Sequence, residues 1–181
     1  MAGPMTAPRQ LLPGASYFVT RRVYERRFLL KPTKVTTQVL GYLVARAARM
    51  IGVRVHAYCA MSNHLHLVVT DPRATLPRFM QELDCLAGRA VNALYGRWGY
   101  FWEGDSYHAT VLDTPEEVLD RCAYALANPV KAGLVRKARQ WPGLWSSPEE
   151  VGTTLVFERP NHFFKKTGGQ RVLAGNIIVR Q

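Results

Sequence analysis

The tightest constraint in this sequence is a pair of alternating stretches set around Ser62-Asn63. Val53, Val55, Ala57, Cys59 and Met61 fall on one side of the first stretch, and Arg54, His56, Tyr58 and Ala60 on the other. In the second, Leu65, Leu67 and Val69 alternate with His64, His66 and Val68. A two-residue period belongs to a half-buried strand, so the two stretches predict an antiparallel hairpin. Cross-strand partners share a face, and a two-residue link would set Met61 against His64, mixing apolar with polar side chains. A three-residue link, Met61-Ser62-Asn63, avoids the conflict. It predicts Ala60 opposite His64, Tyr58 opposite His66 and His56 opposite Val68, with the polar groups gathered on one surface.

The hairpin sits inside a longer order. Ser16 to Tyr24, rich in aromatic and β-branched residues, reads as a first strand. Val35, Val39, Leu43, Ala47 and Met50 then recur at helical spacing up to Gly52. After the hairpin a second helix is expected from about Leu76 to Leu94 and a short strand over Tyr107 to Leu112. Thr114-Pro115-Glu116-Glu117 is a strong helix start, and Pro129 should stop that third helix near Asn128. Strand, helix, strand, strand, helix, strand describes an α+β, ferredoxin-like antiparallel sheet (βαββαβ), with an additional C-terminal helix. Right-handed crossovers put the first two helices on one face and leave the other, with His64 and His66, for a substrate or the third helix. Residues 1–150 are expected to form one domain and residues 151–181 a tail with one short strand near Val172 to Val179.

Charge narrows the partner. The formal net charge is +11, and from Met1 to Thr70 the only acid is Glu25. Such a surface favours a polyanion through counterion release. No apolar run approaches the roughly 20 residues that span a bilayer, and the N-terminal stretch lacks the apolar segment of a signal peptide. A cytoplasmic protein is expected. Cys59, Cys85 and Cys122 lie singly in apolar surroundings, without the spacing of a disulfide frame or zinc knuckle.

His64-Leu65-His66 puts two imidazoles on one side of a strand, about 6 to 7 Å apart along the chain. Two such rings can share a divalent ion and leave positions open for a phosphate oxygen, although an isolated H-x-H is most often two solvated histidines. Tyr124 and Asn128 are four residues apart and share a helical face, with Arg121 adjacent. A phenol can attack phosphorus to form a phosphotyrosine, and an asparagine oxygen can complete a metal site. Equally, Tyr124 could pack at a surface and Asn128 end a helix.

Four stretches in order add a resemblance. MSNHLHLVV resembles the signature strand of the HUH single-tyrosine transposases, and YALANPVKAGLV is similar to the helix that carries their tyrosine. SYFVTRRVYERRFLL and WPGLWSS resemble the first strand and the closing segment of the REP-associated tyrosine transposases within that superfamily. The resemblance covers roughly Ser16 to Ser147. It implies His64, His66 and Asn128 as ligands of Mg²⁺ or Mn²⁺ and Tyr124 as the nucleophile. The implied reaction nicks single-stranded DNA beside a hairpin, through a 5′-phosphotyrosine, and rejoins strands by attack of the free 3′ hydroxyl. DNA-binding candidates are Arg21, Arg22, Arg26, Arg27, Lys131, Arg136 and Lys137, on a monomer or homodimer associated with a bacterial nucleoid. Trp98, Tyr100 and Trp102 could stack on bases or pack in the core, and Tyr58, on the expected histidine face, is a decoy nucleophile. A catalytically silent nucleic-acid-binding protein on the same fold is the alternative. A phosphodiesterase with two H-x-T/S motifs lacks its second motif here, and a structural zinc site lacks ligands.

Overall fold

The computed structural model describes residues 11–104, 107–160 and 177–178. Its elements are β1 (Ala15–Arg22), α1 (Lys34–Ile51), β2 (Arg54–Ala60), β3 (His64–Asp71), α2 (Leu76–Leu94), β4 (His108–Leu112) and α3 (Pro115–Lys131). Short strands β5 (Thr154–Leu155) and β6 (Ile177–Ile178) pair apart from the main sheet. The main sheet runs β2-β3-β1-β4 with every neighbour antiparallel, the ferredoxin-like order expected.

Local chemistry fixes the helix ends. The Thr33 hydroxyl accepts from the Thr36 amide at the start of α1, and Gly52 closes that helix in the left-handed region at φ 81°. Asp71, fully buried at the end of β3, accepts from the Leu76 amide at 2.6 Å and so anchors α2 to the sheet. At the start of α3 the Thr114 hydroxyl accepts from the Glu117 amide, and the Glu117 carboxylate accepts from the Asp113 amide.

α1 and α2 cover one face, where Tyr17, Val19, Leu65, Leu67 and Val69 meet Leu43, Val44, Phe79 and Leu83 in the principal core. Burying each such side chain stabilises by about 1.5–3 kcal/mol. On the opposite face α3 lies across the sheet, over a small cluster of Phe18, Ala57, Val68, Leu112 and Ala125. Two alanines at that contact let the helix come close.

The hairpin corrects the expected register. Met61 N–H donates to the His64 carbonyl at 2.8 Å, so the link is only Ser62-Asn63. Ala60 pairs with Leu65, Cys59 with His66, Tyr58 with Leu67 and Ala57 with Val68. The conflict that argued for a longer link is resolved within β2, where a bulge between Val55 and Ala57 absorbs one residue. Val55 and Tyr58 therefore both enter the principal core, while Ala57 turns to α3 and Cys59 to Met61 and Trp141. Tyr58 is 1% exposed and is not on the histidine face. Packing decides this: the large ring fills the larger core, and the small side chains make room for the helix.

Residues 141–146 run along the outer edge of β2. Ala60 N–H donates to the Leu144 carbonyl, Ser146 N–H to the Tyr58 carbonyl, and the Tyr58 N–H to Ser146 Oγ. This covers an otherwise open edge. The same segment ties α3 down, because the Trp145 indole donates to the Leu126 carbonyl at 3.0 Å. Further on, Leu155 and Phe157 pack against the principal core. Of the strand expected over Val172 to Val179, the described part is β6, and the rest lies outside the described residues.

Candidate active site

His64 and His66 project from β3 toward α3, with ring centroids 4.6 Å apart. The Asn63 side chain donates from Nδ2 to the Arg26 carbonyl, so its Oδ1 is the atom that meets His64 Nδ1 at 2.7 Å. His64 must donate there, which leaves the lone pair on its Nε2. His66 is held more tightly. Its ring stacks on Phe18 at 5.3 Å and its Nδ1 lies 3.1 Å from the Thr20 hydroxyl. Its Nε2 is buried and makes no hydrogen bond.

The third helix brings the phenol to this pair. Tyr124 and His66 have centroids 6.1 Å apart, and the Tyr124 ring meets Phe18 edge-on at 5.7 Å. Lys131 Nζ lies 4.3 Å from the centre of the Tyr124 ring, with the Arg121 guanidinium 5.9 Å away. A cleft of about 450 Å³ opens between these groups, lined by Phe18, Thr20, Arg22, His66, His108 and Tyr124 among others. A second groove, about 560 Å³, runs between α3 and β4 and also reaches Tyr124.

Asn128 completes the cluster by way of a proline. α3 does not stop at Asn128, as Pro129 had suggested, but continues to Lys131. Pro129 has no N–H for the Ala125 carbonyl. The Asn128 Nδ2 supplies it instead, donating to the Ala125 carbonyl at 3.4 Å and the Tyr124 carbonyl at 2.8 Å. Carbonyls only accept, so the amide's NH₂ is committed to the helix and Oδ1 must face away. The amide also approaches His66, partly opposing the fall in that histidine's pKa.

Burial, then the His64 charge and Arg22, push the His66 pKa down to about 3, and burial and Arg22 lower that of His64. Both rings are therefore neutral at neutral pH. The donor set fits a divalent cation: an orphaned buried Nε2, a second imidazole with its lone pair directed by Asn63, and a carboxamide oxygen. Among the described residues no three His, Cys, Asp or Glu side chains gather at one point, and the polar side chain that meets the histidine pair from α3 is the carboxamide of Asn128.

The sequence comparison decides the family. The model described as "Transposase IS200 like" matches residues 14–122, more than half of the chain. The chain belongs to the IS200-like transposase family. Among solved structures, this transposase is similar to a REP-associated tyrosine transposase bound to a REP hairpin, at TM-score 0.67 and 18% identity, over 94% of this chain and 100% of that one. It also matches a Deinococcus radiodurans chain described as a transposase, at TM-score 0.46 and 19% identity, over 68% of this chain and 97% of that one. No curated protein sequence matches it significantly. No helix among the described residues is long and apolar enough to cross a membrane.

The cations singled out for DNA contact fall into three groups in this transposase. Arg22 lies on the histidine face, paired across the sheet with His64, and Lys131 is against Tyr124. Arg26, Arg27, Arg136 and Lys137 are exposed, with Arg27 paired to Glu25. Arg21 is a correction. Strand alternation turns it to the opposite face, where it is 5% exposed, paired with Asp84 at 2.8 Å and bonded to the Glu103 carbonyl. Trp102 is likewise a packing residue, its indole donating to the Asp84 carbonyl. Sequence reasoning missed Asn63, Thr20 and Phe18, which orient the imidazoles. The polar residue immediately before the histidine pair was the one available signal.

The His66 shift makes a stability prediction. Its folded pKa lies below the unfolded value near 6.5, so its contribution is fully present above pH 6.5 and is lost as pH falls toward 3. Metal-free protein should lose about 2 kcal/mol of urea stability between pH 7 and 5 from this group. His66→Gln should show a correspondingly shallower loss, and equal slopes would refute the assignment.

Proposed function

We propose that this transposase nicks and rejoins single-stranded DNA at a hairpin-containing site, with Tyr124 as nucleophile. The observation that carries the reading is the 6.1 Å approach of the Tyr124 ring, on a helix, to His66, on the sheet. His64 Nε2, His66 Nε2 and Asn128 Oδ1 would hold Mg²⁺ or Mn²⁺, which when bound supplies Lewis-acid polarisation of a phosphate oxygen. The Tyr124 oxygen attacks phosphorus as the bond to the 3′ oxygen breaks. A 5′-phosphotyrosine forms, and the released 3′ oxygen takes up a proton. In the joining step a 3′ hydroxyl attacks the phosphotyrosine and the phenol leaves, so bond energy is conserved without hydrolysis.

Lys131 and Arg121, beside the phenol, would stabilise negative charge on its oxygen, and Arg22 would face the phosphate from the sheet side. Hairpin DNA is the substrate we favour because the similar REP-associated transposase is bound to one and because the net charge of +11 suits a polyanion. Purified protein given Mn²⁺ or Mg²⁺ and a labelled single-stranded hairpin oligonucleotide should form a covalent adduct that resists denaturation. Persistent failure to form one with either metal, across a random pool of hairpin sequences, would overturn the reading.

Pro129 enters this mechanism as a positioning residue. Pro129→Ala restores an N–H that competes for the Ala125 carbonyl and frees the Asn128 amide to rotate. Adduct formation should slow several-fold and metal affinity, read by calorimetry, should weaken. The melting temperature should hold or rise, because alanine is the better helix former. An unchanged metal affinity would show that the proline does not act through Asn128.

A further inference from the structure

The Tyr24 and Tyr100 rings stand 6.1 Å apart, Tyr24 two residues beyond Arg22 and Tyr100 three before Glu103 of the cleft lining, and Tyr100 is 80% exposed. Trp98, two residues away, is 94% exposed. Large aromatic surfaces left in water this way mark an interaction site more often than a stray side chain does. The pair is joined to the candidate catalytic residues through Asn63. The Asn63 carbonyl accepts from the Val23 N–H at 2.9 Å, its Nδ2 donates to the Arg26 carbonyl, and its Oδ1 meets His64. Tyr24 N–H donates in turn to the Phe101 carbonyl, which fixes the segment bearing Tyr100 against the end of β1. Arg22 borders the cleft, and exposed Arg26 and Arg27 follow Tyr24.

We propose that Tyr24 and Tyr100 form a stacking platform for unpaired bases flanking the scissile phosphate, with Arg22 and Arg26 on the accompanying backbone. Aromatic faces interleaved with arginines suit single-stranded nucleic acid, since every base has a π-face and every nucleotide a phosphate. The spacing sets the geometry. A base inserted between two rings needs about 7 Å, two stacking steps of roughly 3.4 Å each, and the tyrosines are closer than that and tilted by 41°. Tyr24 therefore buttresses Tyr100, and the base stacks on the outer face of Tyr100. This deepens the nicking reading by naming what holds the unpaired flank, and it stands or falls on binding alone.

The test is equilibrium binding of the full chain, in chelator so that no strand is cut, to a hairpin with an unpaired flank and to the same hairpin without one. Tyr100→Ala should weaken the flanked hairpin about tenfold and leave the unflanked one unchanged, while Tyr100→Phe restores binding. Tyr24→Ala should do the same to a smaller degree. Abasic sugars in the flank should weaken the native protein equally and erase the difference between it and Tyr100→Ala. Stacking is not ionic, so the tenfold ratio should persist as salt rises even though both affinities fall. Equal loss on both hairpins, or no loss on either, overturns the platform, and the latter would give the exposed aromatics to a protein partner. A chain that never forms the covalent adduct could still pass this test, so the two readings fail separately.

Discussion

Replacing Tyr124 by Phe will abolish the covalent protein–DNA adduct while leaving hairpin binding and melting temperature close to those of the native chain. The exchange is clean. The phenyl ring keeps its edge contact with Phe18 and its place under Lys131, and only the hydroxyl is lost. Because on the proposed mechanism the hydroxyl would supply the covalent bond itself, the loss should be on the order of 10⁴-fold or more, the scale seen when a nucleophile is removed. Tyr58→Phe provides the control. That ring is sealed in the principal core, where burial, followed by Glu150, raises its pKa, so its hydroxyl has neither access nor acidity. An adduct that survives Tyr124→Phe and disappears with Tyr58→Phe would move the nucleophile and require the bulged strand to rearrange.

The second large effect belongs to the imidazole pair. His64→Ala and His66→Ala should each remove cleavage, by a factor on the order of 10³, yet preserve most of the affinity for a hairpin. Binding to a phosphate backbone depends on cations spread over the surface, whereas on the proposed mechanism the two neutral imidazoles would serve the scissile group alone. The two positions differ in structural cost. His64 is partly exposed, whereas His66 is 5% exposed, stacked on Phe18 and bonded to Thr20, so its truncation also leaves a cavity. His66→Gln keeps bulk and polarity and separates the two effects. Parallel loss of binding and cleavage in both the His64→Ala and His66→Gln variants would mean that the rings hold the fold or the DNA instead of the reacting centre.

Much of this architecture was legible in the residues. The two-residue period around Ser62-Asn63, the spacing from Leu76 to Leu94 and the Thr114 cap each report local physics, and the corresponding elements formed with their ends within a few residues of expectation. The misreadings all involve a choice that local physics leaves open. Alternation could not say whether the extra residue of the hairpin sits in the link or in the strand; the larger core's demand for Tyr58 and α3's need for small neighbours decided it. Arg21 looked like one more member of a basic run, and only the approach of Asp84 from α2, far along the chain, draws it inside. Pro129 should have ended its helix, and a side chain one residue earlier substitutes for the missing donor. The convergence of Tyr124 on His66 depends on how α3 crosses the sheet, which Trp145 helps to fix from outside the helix.

The bulge in β2 carries a consequence for how such a centre stays selective. Ala57 to Ala60 face the way they do because one surplus residue is stored beside Val55 and not at the tip of the hairpin. Shift that residue to the tip and the same amino acids would present a second phenol next to the first, and a strand end could be captured by either. On the proposed mechanism, fidelity in choosing which oxygen receives the DNA would thus be set by where the backbone keeps its slack, and a change of turn length would erode it without altering any reactive side chain.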